Sequence, residues 1–178
     1  MSEEPPGGWD RPLAEPYPAE AYAVKRPVGR TVWFTLASAG GYSYYWFYVT
    51  RRQLDGELAD GRDDALMHTL GLLVPGLNFF VVWWLWRDLN LLRQRVGLPE
   101  FPAGAYLAGS VFLAPVFYCL VLEKLNEYWD VRTQGLAGEA PVTSTEKLIV
   151  GVGIALWVLW LLFMAAIVIL VIVVSASG

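Results

Sequence analysis

From Leu148 to Val174 the chain reads "LIVGVGIALWVLWLLFMAAIVILVIVV", with no charge and no proline. As a helix at about 1.5 Å per residue this stretch is roughly 40 Å long. A bilayer's hydrocarbon core is about 30 Å thick, so the stretch can cross it with tilt or overhang. "TSTE" precedes it, and Thr143 and Glu146 have the capping-box spacing that starts a helix. Three more apolar runs come earlier, at 31–50, 65–86 and 103–122, and none holds Asp, Glu, Lys or Arg. Each is about 20 residues, the length a spanning helix needs. A charge near the centre of such a helix costs on the order of 3 kcal/mol, so the absence fits lipid. The expected fold class is an all-α integral membrane protein. It has three Gly/Pro-broken apolar helical segments, either kinked spans or hairpins, plus one long C-terminal transmembrane helix at 148–174.

The breaks recur. Gly40 and Gly41 interrupt the first run, Pro75 and Gly76 the second, Ala114 and Pro115 the third. Aromatics follow each break, and a polar stretch follows the aromatics: "RRQLDGEL", "RDLNLLRQ" and "EKLNEYWD". Leu54, Leu89 and Leu125 hold matching places, 35 and then 36 residues apart. This is a degenerate internal repeat. In the second polar stretch Leu85, Leu89, Leu92 and Val96 fall on one helical face. That stripe suits an interfacial helix over lipid or packing on a neighbouring helix.

Residues 1–30 read as a disordered, proline-rich, acidic tail, followed by the membrane domain at 31–174 and a short tail at 175–178. The stretch from Lys25 to Leu58 resembles a bacterial membrane family known as domain of unknown function 4234. Thr35–Leu36, Gly41–Tyr42 and the run Tyr45, Trp46, Phe47 and Tyr48 carry the likeness. "ASAG" between Leu36 and Gly41 departs from the family's tighter turn. The resemblance implies an integral protein of the bacterial inner membrane. It brings no activity, so no functional residue is carried over.

Two topologies are open. Four simple spans divide the 13 Lys and Arg residues almost evenly between the two faces. If the first three runs are hairpins that enter and leave on one side, all 13 lie on the cytoplasmic face, as the positive-inside rule favours. Ten helical residues reach about 15 Å, half the core. Gly40, Gly41, Pro75, Gly76 and Pro115 are then the turn or break residues. Tyr45, Trp46, Trp83 and Trp86, with Arg51, Arg52 and Arg87, are the expected interfacial anchors. Small residues at i, i+4 let helices approach closely, which nominates Gly104 with Ala108 and Gly151 with Ala155 for packing of the third run on the fourth. A buried turn needs partners for its backbone, and Ser38, Ser43, Asn78 and Ser110 lie close enough to help.

Chemistry is sparse. The chain is 56% hydrophobic and 17% charged, against about 25% charged in soluble domains. A net charge of −4 without a like-charge block argues against nucleic acid. The acids from Asp55 to Asp64 lack the EF-hand pattern and read as a solvated loop. His68 is the only histidine and Cys119 the only cysteine. No catalytic triad, zinc motif or phosphate loop appears, so no catalytic residue, metal or cofactor is expected. The functional expectation is a non-enzymatic scaffold, accessory or bilayer-interacting protein. The alternative is a small transporter or channel, which normally needs ionisable groups at mid-membrane; a membrane enzyme comes third. The expected partners are membrane lipid and a second copy or another membrane protein. The expected location is the inner (plasma) membrane, multi-pass, with a cytoplasmic N-terminus.

Overall fold

The computed structural model describes residues 24–58 and 64–177. Among the described residues the chain forms regular structure that is helical apart from two two-residue strands. In order it forms β1 (Val24–Lys25), α1 (Val28–Ala37), α2 (Gly41–Leu58), α3 (Ala65–Gly71), α4 (Leu77–Arg95), α5 (Ala103–Arg132), β2 (Gly138–Glu139) and α6 (Ser144–Ser177). β1 and β2 pair in parallel, Val24 opposite Gly138 and Lys25 opposite Glu139. Most of the expected tail, residues 1–23, lies outside the described residues; 24–30 are ordered as β1 and the first turn of α1. Among the described residues two helices, α5 and α6, are long and apolar enough to cross a membrane.

The chain divides into two compact units. The first holds residues 24–26 and Phe47–Ala140; the second holds Pro27–Trp46 and residues 141–177.

In the first unit the breaks reverse the chain. α3 and α4 flank a turn in which Gly76 takes φ +85, open to glycine at little cost. His68 of α3 lies edge-on to Trp84 of α4, with ring centroids 5.5 Å apart. α5 also folds back. Trp83 and Trp86, one turn apart on α4, touch Gly104 and Tyr118 respectively. In a straight helix Gly104 and Tyr118 are roughly 21 Å apart, so α5 cannot be straight between them. Its break is at Leu113, with φ −135 and ψ 48. That is upstream of the expected Ala114–Pro115 position. Pro115 offers no N–H to the Val111 carbonyl and its ring crowds that same carbonyl, so distortion falls on the preceding turn.

In the second unit Ala39 (φ +51) and Gly40 (φ +88) form the turn between α1 and α2, while Gly41 already starts α2. Side chains and turn amides bond part of the backbone there. Ser38 Oγ accepts from the Tyr42 amide at 2.8 Å and donates to the Thr35 carbonyl at 3.1 Å. The Gly40 amide donates to that same carbonyl at 2.8 Å. From α6, Trp157 Nε1 donates to the Leu36 carbonyl at 3.1 Å. α6 opens with reciprocal capping: Thr143 Oγ1 accepts from the Glu146 amide, and Glu146 Oε2 accepts from the Thr143 amide. Tyr42 donates its hydroxyl proton to the other oxygen of Glu146, at 2.8 Å.

Candidate functional site

The first unit buries several charged residues, among them Arg51, Asp55, Glu57, Asp88 and Arg93, beside its apolar core, and leaves many large apolar side chains exposed. The polar ends of α2, α4 and α5 come together as three helices. Leu54, Leu89 and Leu125 are all buried at their centre. Residues at the same spacing are buried as well: Thr50, Leu85 and Val121 four before these leucines, and Leu58, Arg93 and Trp129 four after.

Each pair of helices is joined by charge. Arg51 of α2 is bonded to Asp88 of α4 and to Asp55 one turn along its own helix, the latter at 2.8 Å. Glu57 of α2 accepts from the Tyr128 hydroxyl at 2.8 Å and from Arg132 Nε at 2.9 Å, both on α5. Arg93 of α4 is fully buried, donating to the carbonyls of Pro99 and Lys124 and to Glu127. These bonds fit the energetics of buried ions, which need paired charge and filled hydrogen-bonding capacity.

The residue after each repeat leucine has a further role in two copies. Asn90 Nδ2 donates to the Phe101 carbonyl at 2.8 Å, and its Oδ1 accepts from the Phe101 amide at 3.1 Å. Asn126 holds Arg26 in the same way, at 2.9 and 3.0 Å. Phe101 lies two residues before α5 and Arg26 two residues before α1. Each asparagine therefore grips the backbone leading into another apolar segment. Asp55 occupies the equivalent place in the first copy, on α2.

Beside this cluster, between α4 and the start of α5, opens a cleft of about 390 Å³. Trp83, Arg87, Gln94, Glu100 and Gly104 are among its lining residues. Away from the cluster the surface turns apolar. Leu66, Met67, Leu70, Leu73, Val74, Phe79, Phe80 and Phe112 are exposed near the breaks of α3, α4 and α5. Among the described residues no three His, Cys, Asp or Glu side chains gather as a metal site requires.

No family model matches the chain, and neither a curated protein nor a solved structure does.

Several residues expected at a membrane surface lie elsewhere. Arg51 is buried in an ion-pair cluster, and Trp46 and Trp86 are buried. Trp83 is half-buried on the cleft wall, Tyr45 is half-buried near Thr143, and Arg52 and Arg87 are exposed. Asp55 and Glu57 are buried partners of arginines rather than part of a solvated loop; 59–63 lie outside the described residues. Leu85, Leu89 and Leu92 face protein. The Gly104 backbone meets Trp83, and Ala108 is exposed. A Cβ on Gly151 would meet nothing within 4 Å, and Ala155 is exposed. The α6 glycine in close contact is Gly153, where a Cβ would collide with the Ser38 Cα. Half-buried Cys119 follows the α5 break.

The arginine partners and asparagine grips were missed because hydropathy treats every charge as a surface residue. Two signals could have found them. Arg51 and Asp55 stand at i, i+4, and "LN" recurs at Leu89–Asn90 and Leu125–Asn126.

Proposed function

We propose that this chain is a non-enzymatic scaffold of the bacterial inner membrane. Its three broken segments dip into the bilayer from the cytoplasmic side, and α6 crosses it. The polar ends of α2, α4 and α5 lock the segments together above the lipid. One observation carries this reading: charges are buried at the polar ends while apolar side chains stay exposed near the breaks and along α6. Water penalises that arrangement, whereas lipid favours the exposed face. The reach of the segments supports it, since α1 and the part of α5 before Leu113 are each about half a hydrocarbon core in length. The likeness to the membrane family named above is consistent with it.

Reconstitution tests the scaffold reading against transport. Proteoliposomes of the full chain should pass ions and small solutes no faster than empty liposomes. Flux above that background, abolished by Asn78→Ala or His68→Ala, would replace the scaffold with a transporter.

A further inference from the structure

The cleft between α4 and α5 is lined by both apolar and polar side chains. Trp83, one turn from exposed Phe80, is an apolar lining residue. Arg87, Gln94 and Glu100 are polar ones. Asp88 also lines it, but that carboxylate already holds Arg51 of the ion-pair cluster. Arg87 reaches Asp88 only at 3.5 Å, and its side chain is 56% exposed. Its guanidinium is therefore largely solvent-facing beside the cleft. Glu100, exposed and just before α5 begins, lines the cleft as well. Gly104, in the first turn of α5, also lines the cleft, against the Trp83 ring. The cleft thus offers a cation, a separate anion and an apolar wall within one pocket of ligand-sized volume.

A phosphodiester bearing a primary ammonium has the complementary arrangement. Arginine matches phosphate oxygens through its planar fork of donors. A carboxylate accepts hydrogen bonds from an ammonium, which a quaternary amine cannot donate. We propose that this cleft binds the headgroup of a phosphatidylethanolamine-type lipid, with its phosphate on Arg87, its ammonium on Glu100 and its glycerol against Trp83. The site rests on the bilayer reading, because the acyl chains must leave past Phe80 and Trp84 into lipid. A purely anionic headgroup would face Glu100 unfavourably.

The test uses the full chain in mild detergent and counts bound lipids by native mass spectrometry. The probes are phosphatidylethanolamine, phosphatidylcholine and phosphatidylglycerol with identical acyl chains, and soluble glycerophosphoethanolamine. The ethanolamine lipid should bind tightest. Arg87→Gln should weaken it about tenfold or more, as loss of a charged hydrogen bond implies. Glu100→Gln should lower it to the level of the choline lipid, while Leu136→Gln, at an exposed position outside the cleft, should change nothing. Equal binding of the three lipids, or an unaltered Arg87→Gln variant, would overturn the proposal. Equally tight binding of the soluble diester would overturn the lipid as its source. Carbonate extraction of membranes separates the two levels. Release of the parent chain would defeat the bilayer reading, whereas retention without headgroup preference would defeat this site alone.

Discussion

Arg51 decides how the first unit tolerates its charges. Its side chain is 4% exposed, those of Asp55 and Asp88 are 5% and 12%, and one guanidinium serves both acids. Removing one member of a buried pair strands the others. Arg51→Leu should therefore cost about 3–5 kcal/mol, read by denaturant unfolding in micelles. Adding Asp55→Asn and Asp88→Asn to that variant should recover most of the loss, since it removes the stranded charges. No recovery would mean that Arg51 acts by packing. The two asparagines make a sharper pair. Asn126→Asp turns the donor that faces the Arg26 carbonyl into an acceptor, and Asn90→Asp does the same at Phe101. Each should lose about 1–3 kcal/mol, the cost of an unsatisfied buried polar group. An unchanged melting temperature for both would show that the grips contribute nothing.

Among the helices, α6 was the most legible in the sequence and its contacts the least. Its length, lack of proline and "TSTE" start are all local properties, and Thr143 and Glu146 form the reciprocal cap that their spacing implies. Which glycine lies against another helix depends on rotation about the α6 axis, which an apolar stripe on every face does not encode. Gly151 has the small-residue spacing but nothing within 4 Å, while Gly153 lies on the backbone of Ala37 and Ser38. Gly153→Leu should therefore lower the melting temperature in micelles by several degrees, and Gly151→Leu should leave it unchanged. The reverse order would reject this placement of α6. Trp157→Phe, which removes the donor to the Leu36 carbonyl, should cost about 1 kcal/mol by the same measurement. Gly40 and Gly76 both take positive φ, which glycine adopts at little cost. The Leu113 break was legible only to within a turn, because Pro115 disturbs residues before it rather than itself. The buried arginines were not legible, because their partners are distant in sequence: Arg51 with Asp88, Glu57 with Arg132, Arg93 with Glu127.

At the scale of the whole molecule the central claim is sidedness. If the broken segments are hairpins, the polar ends of α2, α4 and α5 share the cytoplasmic face and only the far end of α6 is outside. Four simple spans with the N-terminus inside would instead alternate those ends across the bilayer. The chain's single cysteine makes the distinction direct, since Cys119→Ser gives a blank background. Single cysteines replace Arg52, Gln94, Leu136 and Ala176, all exposed. A membrane-impermeant maleimide on spheroplasts then reports which positions face outward. The hairpin account expects labelling at Ala176→Cys alone, with Arg52→Cys, Gln94→Cys and Leu136→Cys reacting only after lysis. Labelling of Arg52→Cys and Leu136→Cys in intact spheroplasts, with Ala176→Cys protected, would contradict it.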